Sequence, residues 1–184
     1  MELQHGITLS EQYVKDLYER SNEVEKNLLE RMFGRSLFNP DKVIMERIKT
    51  FNDACDEIGH NHPLVLEYDE LTTDTRYETT SNIAFVKLKI IAKALNGQCN
   101  SEVPNHNRWY PRFTVEKANT VNERTIDSSE VWVKRNGIYF MFYDTVSNGY
   151  VISESSNRNT CFRTKELAEY AGKQFIEFYA DLIL

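Results

Sequence analysis

The sequence predicts an α+β fold: a helical N-terminal half, an antiparallel β-meander, and a C-terminal helix packed on the sheet. Three observations carry this expectation. Helix start and stop signals recur at regular spacing through the first hundred residues. Of the 22 aromatic residues, 14 fall after position 100, among β-branched residues and Asn-Gly turns, which is strand composition. A stripe of helical period then runs through the last twenty residues. With 184 residues, the chain has length for one domain that buries about 70% of its unfolded surface. The expected organisation is a single domain over 1–184: residues 1–100 mainly helical, 101–163 β-rich, and 164–184 the C-terminal helix.

Thr8-x-x-Glu11 reads as a capping box. Tyr13, Leu17, Val24, Leu28 and Met32 follow at spacings of four or seven, so one helix is expected up to Gly34. Asn39-Pro40 opens a helix over PDKVIMERIK, with proline at the first helical position. Thr50-x-x-Asp53 opens FNDACDEI, which Gly59 ends, and Pro63 starts a turn through PLVLEYDEL. After the polar loop TTDTRYETT, Ser81 caps NIAFVKLKIIAKALN. Its apolar residues occupy most of the circumference, as expected of a central, buried helix.

QCNSEVPNHN reads as a loop. Beyond it, Asn136-Gly137 between VWVKR and IYFMFYDTV is a strong hairpin signal. A two-residue turn pairs Arg135 with Ile138, Val133 with Phe140, and Val131 with Phe142. Alternation then places Val131, Val133, Ile138, Phe140 and Phe142 on one face, and Trp132, Tyr139, Met141 and Tyr143 on the other. Asn148-Gly149 extends the hairpin to a meander by pairing Val146 with Val151, both on the Phe140 face. CFR is a short strand, and Thr164 caps KELAEYAGKQFIEFYADL. Leu167, Ala171 and Phe175 on its stripe are expected against Ile138, Phe140, Phe142, Val146 and Val151. Gly172 costs about 1 kcal/mol inside a helix, which a close approach to the sheet would offset.

Lys plus Arg number 22 against 28 Asp plus Glu, a net charge of −6. Such a chain repels phosphate at long range, which argues against a nucleic-acid partner. No apolar run approaches the length of a membrane span, and MELQHGITLS lacks the basic and apolar regions of a secretory signal. Cys55, Cys99 and Cys161 are an odd number without a CxxC pair, as expected of buried thiols in a reducing cytoplasm. No GxGxxG, GxxxxGK, GxSxG or HExxH pattern occurs, which excludes P-loop nucleotide hydrolysis, nucleophile-elbow hydrolases and zincin proteases.

His60-Asn61-His62 is the arrangement closest to a metal site, because imidazoles at i and i+2 can share an ion on extended backbone. Gly59 and Pro63 flank it, however, and a solvated inter-helix loop accounts for it. A cysteine nucleophile needs a histidine base in reach. Cys55 lies five residues before His60, in poor geometry, while Cys99 could meet His106 across a loop. No catalytic, cofactor or metal residue is therefore assigned.

CFRTKELAEYAGKQFIEFYADLIL resembles the C-terminal tail of a family of proteins from gut Bacteroidales and their phages and mobile elements, to which no activity is assigned. VIMERIKTFNDACDEIGHNHPLVLEY and FVKLKIIAKALNG are similar to further segments of that family, as is the aromatic-proline segment Arg108-Trp109-Tyr110-Pro111-Arg112-Phe113. The resemblance spans roughly residues 43–184. It implies an accessory protein of a phage or mobile element, acting in a bacterial cytoplasm.

The segment 108–113 interleaves arginines with aromatics, the residue types that dominate protein interfaces. Bases could also stack on such a strip while its arginines hold phosphates, but an edge strand packing Trp109 and Phe113 inward is the first explanation of it, and Pro111 favours an edge. If the helices cover the Phe140 face alone, Trp132, Tyr139 and Met141 are left for a partner. Arg108, Trp109, Tyr110, Arg112, Trp132, Tyr139 and Met141 are thus the candidate protein-binding residues, and the partner is a second copy or a host target. The expected function is non-catalytic protein binding that modulates or inhibits a host system. A nucleic-acid-binding module and a cryptic metal-dependent enzyme are the alternatives.

Overall fold

The computed structural model describes residues 9–73, 79–97, 108–117, 130–147 and 160–184. The chain forms two compact units, residues 1–43 and residues 44–184. In the first, α1 (Glu11–Arg20), α2 (Glu23–Phe33) and α3 (Arg35–Phe38) follow in short succession. The single N-terminal helix expected from the periodicity is two. Ser21 and Asn22 are extended, and Asn22 forms a capping box with Glu25 that starts α2. Ser10 caps α1 through the Tyr13 N–H, and Thr8 lies outside the described residues. Tyr18 fastens the unit: its ring stacks on Phe38 at 4.2 Å. Its hydroxyl donates to Glu30 (2.7 Å) and accepts from Asn39 (3.0 Å).

Helix α4 (Pro40–Arg47) leads into the second unit, followed by α5 (Phe51–Ile58), α6 (Pro63–Thr73) and α7 (Thr80–Asn96). The Thr50/Asp53 capping box opens α5 as the sequence indicates. Thr79 rather than Ser81 caps α7; the Ser81 hydroxyl instead donates to the Leu182 carbonyl at 3.0 Å. Eight residues of α7 are buried, so it is the central helix. On one side it packs Val86, Ile90, Ile91 and Leu95 against Ile48, Ala54, Val65, Leu167, Ala171 and Phe175. Lys87 lies within reach of three aromatic faces, with its ammonium 5.4, 5.7 and 4.8 Å from the Phe51, Tyr68 and Phe178 ring centres.

The sheet consists of β1 (Trp109–Lys117), β2 (Trp132–Arg135) and β3 (Ile138–Ser147), in the antiparallel order β1-β3-β2. The hairpin register is the expected one. Arg135 pairs with Ile138 and Val133 with Phe140, and the Phe142 N–H donates to the Val131 carbonyl. Asn136 (φ 49°) and Gly137 (φ 78°) both sit in the left-handed region that a type I′ turn needs. The Asn148-Gly149 turn and the Val146–Val151 pairing lie outside the described residues. Segment 108–113 opens the nine-residue strand β1. Trp109 exchanges two backbone hydrogen bonds of 2.9 Å with Phe162, away from β3. Two residues on, Pro111 turns its nitrogen to the same outer side, so its missing N–H costs the β1–β3 ladder nothing.

The C-terminal helix is also two, α8 (Lys165–Gln174) and α9 (Ile176–Ile183), because Phe175 leaves helical geometry at φ −116°, ψ 27°. The break divides the apolar stripe between two cores. Leu167, Ala171 and Phe175 turn to α7 and the helices before it. Ile176, Tyr179 and Ala180 of α9 join Leu88, Val133 and Phe140 under the sheet. The expected packing of Leu167 and Phe175 on Phe140 is therefore replaced by packing from α9. Against α8 the sheet has Gly172: a Cβ there would stand 2.7 Å from both the Phe142 ring and Pro111 Cβ, the close approach its sequence position suggested.

Asn96 closes the second unit. At the last residue of α7 its amide donates to the Cys161 carbonyl (2.8 Å) and its Oδ1 accepts from the Arg163 N–H (2.9 Å). Phe162, fully buried between those two residues, is thereby held against the β1 edge.

Candidate functional site

Register and contacts together assign the two faces of the sheet. Trp109, Pro111 and Phe113 point to the helices. Trp109 packs on the α7 core, Pro111 meets Gly172, and Phe113 stacks on Phe140 at 4.6 Å. Alternation puts Tyr110, Arg112 and Thr114 on the opposite, outer face. Met141 pairs with Thr114 on one side and Trp132 on the other, and Tyr139 pairs with Glu116 and Lys134. The structure therefore brings Tyr110, Arg112, Trp132, Tyr139 and Met141 to one face, and it removes Trp109 from that group.

A register shift between Arg112 and Phe113 shapes this face. Arg112 pairs with Asp144 and Phe113 with Phe142, so Tyr143 has no counterpart on β1. One extra residue reverses the alternation beyond it. Val146, expected on the Phe140 face, pairs with Tyr110 and joins the outer face instead. Tyr143 stays outside, 64% exposed, with the Arg112 guanidinium 5.6 Å above its ring.

Exposure differs along the face. Trp132 is 39% exposed, Arg112 is exposed, Met141, Tyr110 and Arg108 are half-buried, and Tyr139 is fully buried. The Tyr139 ring lies tilted beside Trp132, with centres 5.2 Å apart, and Lys134 donates to its hydroxyl at 3.1 Å. Lys134 escaped the sequence reading although its parity with Trp132 put it on this face. Tyr110 lies between two groups, hydrogen-bonded to Arg108 and to the Cys161 thiol. Burial and the sulfur raise its pKa, and Arg108 partly offsets them. It follows that Arg108 and Tyr110 brace one end of the face, while Trp132, Met141 and Arg112 line its middle.

The other sequence candidates have local roles. Burial pushes the thiols of Cys55 and Cys161 up, opposite to the shift that activates a nucleophile. Cys99 and His106 lie outside the described residues. His60 is exposed and bonded to Asp56 (2.8 Å). Nδ1 of His62 accepts from the Leu64 N–H (3.2 Å), and its carbonyl accepts from Val65 and Leu66, so His62 caps α6 ahead of Pro63. Among the described residues, no three His, Cys, Asp or Glu side chains gather as metal ligands. Titrating the protein with zinc is expected to show no stoichiometric site. Binding at about 1 μM or tighter that His60→Ala and His62→Ala abolish would contradict this. No described helix is long and apolar enough to cross a membrane. No family model matches the chain, and no match to it was found among the curated proteins or the solved structures.

Proposed function

We propose that the protein is a non-catalytic accessory factor of a phage or mobile element. In the host cytoplasm it binds a host protein through the outer face of its sheet, and so modulates a host system. The observation that carries this reading is one cross-strand row, Trp132–Met141–Thr114, next to Arg112 and Tyr143. Trp, Tyr and Arg are the residue types that serve as interface anchors when desolvated. Here they stand on a paired strand framework, which keeps the ordering cost of binding low. The two buried thiols with raised pKa values are poor nucleophiles, which favours binding over chemistry.

Affinity capture from the host, followed by titration of the captured protein, tests the reading. Trp132→Ala and Arg112→Ala are each expected to weaken the complex by about 2 kcal/mol, roughly thirtyfold in Kd, with unchanged thermal melts. Undiminished affinity in both variants would remove the sheet face from consideration. A salt-dependent shift of DNA or RNA would replace a protein partner with phosphate binding.

A further inference from the structure

Thirteen large apolar side chains are exposed among the described residues, and six of them form two regular stripes. Tyr13 and Leu17 stand at i+4 along α1, with Leu9 just ahead of its N-cap Ser10; Val24, Leu28 and Met32 follow one another at i+4 along α2. Such spacing is the signature of a helix face that packs. Yet all six are more than 40% exposed, and Val24 reaches 79%. The packed side of this unit is elsewhere, at Tyr18, Phe38 and the buried Val14 and Leu29. Val14 and Leu29 are the buried apolar residues of the described part of this 43-residue unit. Units near 40 residues generally need a cross-link, a metal or association to stay folded.

We infer that these two stripes form a homodimer interface, and that their occupant is the same surface of a second copy of this chain. Area supports this. Taking about 200 Å² for a large side chain, the exposed parts of the six sum to roughly 700 Å². A standard stable interface buries about 800 Å² per partner. Charge supports it as well. Although the chain carries −6, residues 9–38 hold five basic and six acidic side chains. Two copies therefore meet here without the repulsion the rest of the chain would impose. The same balance disfavours an anionic membrane, which selects a polar face rich in Lys and Arg. A two-fold axis also suits the surface, since an isologous interface asks for one self-complementary patch. This interface uses residues other than those of the sheet face.

Sedimentation equilibrium of the full chain provides the test. At about 100 μM, well above a micromolar Kd, the wild type is expected at twice the chain's 21.6 kDa. Leu17→Glu on α1 and Val24→Glu on α2 are each expected to return it to the monomer mass with an unchanged far-ultraviolet circular dichroism spectrum. Leu28→Lys replaces either variant if that variant loses helicity. Trp132→Ala should remain dimeric. A wild type that sediments as a monomer overturns the inference, as does a folded stripe variant that stays dimeric. Monomeric protein that co-sediments with phosphatidylglycerol vesicles through these residues would overturn it in favour of a lipid surface.

Discussion

Truncation of Phe140 to Ala is expected to lower stability by about 3–5 kcal/mol, the range for a buried aromatic that leaves a cavity. Phe140 is fully buried and stacks on Phe113. It pairs with Val133 of the neighbouring strand and lies in one cluster with it, Leu88 of α7 and Ile176, Tyr179 and Ala180 of α9. Three layers of the second unit meet at this ring, so no single neighbour can move in to fill the gap. Urea melts read the effect as a fall in midpoint with an unchanged slope. A loss under about 1 kcal/mol, the size of an ordinary surface change, would show that α9 does not pack there.

Gly172→Ala should also destabilise, against the sign that helix propensity gives. In an isolated helix the change gains about 1 kcal/mol. Here the new methyl meets the Phe142 ring and Pro111 Cβ at 2.7 Å. The ring can turn aside, but Pro111 sits in a strand tied to β3 on one side and, through Trp109, to Phe162 on the other. Overpacking a fixed backbone costs about 1–3 kcal/mol, so a net loss is expected, and Gly172→Val should lose more. A melting temperature equal to or above the wild type in Gly172→Ala would mean that α8 stands further from the sheet.

These two residues also mark where sequence reasoning succeeds. Asn136-Gly137 permits one turn type, and that turn determines which residues oppose each other, so the hairpin register and the inward face of Phe140 were legible. Gly172 was legible because glycine within a helix carries a cost that needs a return. The split between α1 and α2 was legible too, in Asn22-x-x-Glu25, but the apolar spacing across it looked continuous and masked it. Phe175 carried no signal, since nothing in a phenylalanine announces a helix break; tertiary packing on two different cores sets it. The bulge at Tyr143 was invisible for a similar reason. It depends on how β1 pairs with β3, a partner more than twenty residues distant in the chain, and it moved Val146 to the other face. On the candidate face, parity correctly grouped Trp132, Tyr139 and Met141. It did not show that Tyr139 would be buried beside Trp132.

The Asn96 clamp bears on the order in which the second unit is assembled during synthesis. Its partners lie 65 and 67 residues further along the chain, and Phe162 between them is what borders the outer edge of β1. When α7 and the three strands have left the ribosome, that clamp is still unmade and Trp109 lacks the two backbone hydrogen bonds that Phe162 supplies. Unpaired strand edges are the surfaces through which nascent chains associate wrongly. The interval before Cys161–Arg163 emerges is therefore the vulnerable period of this fold, and a slow stretch of translation there would expose the β1 edge for longest.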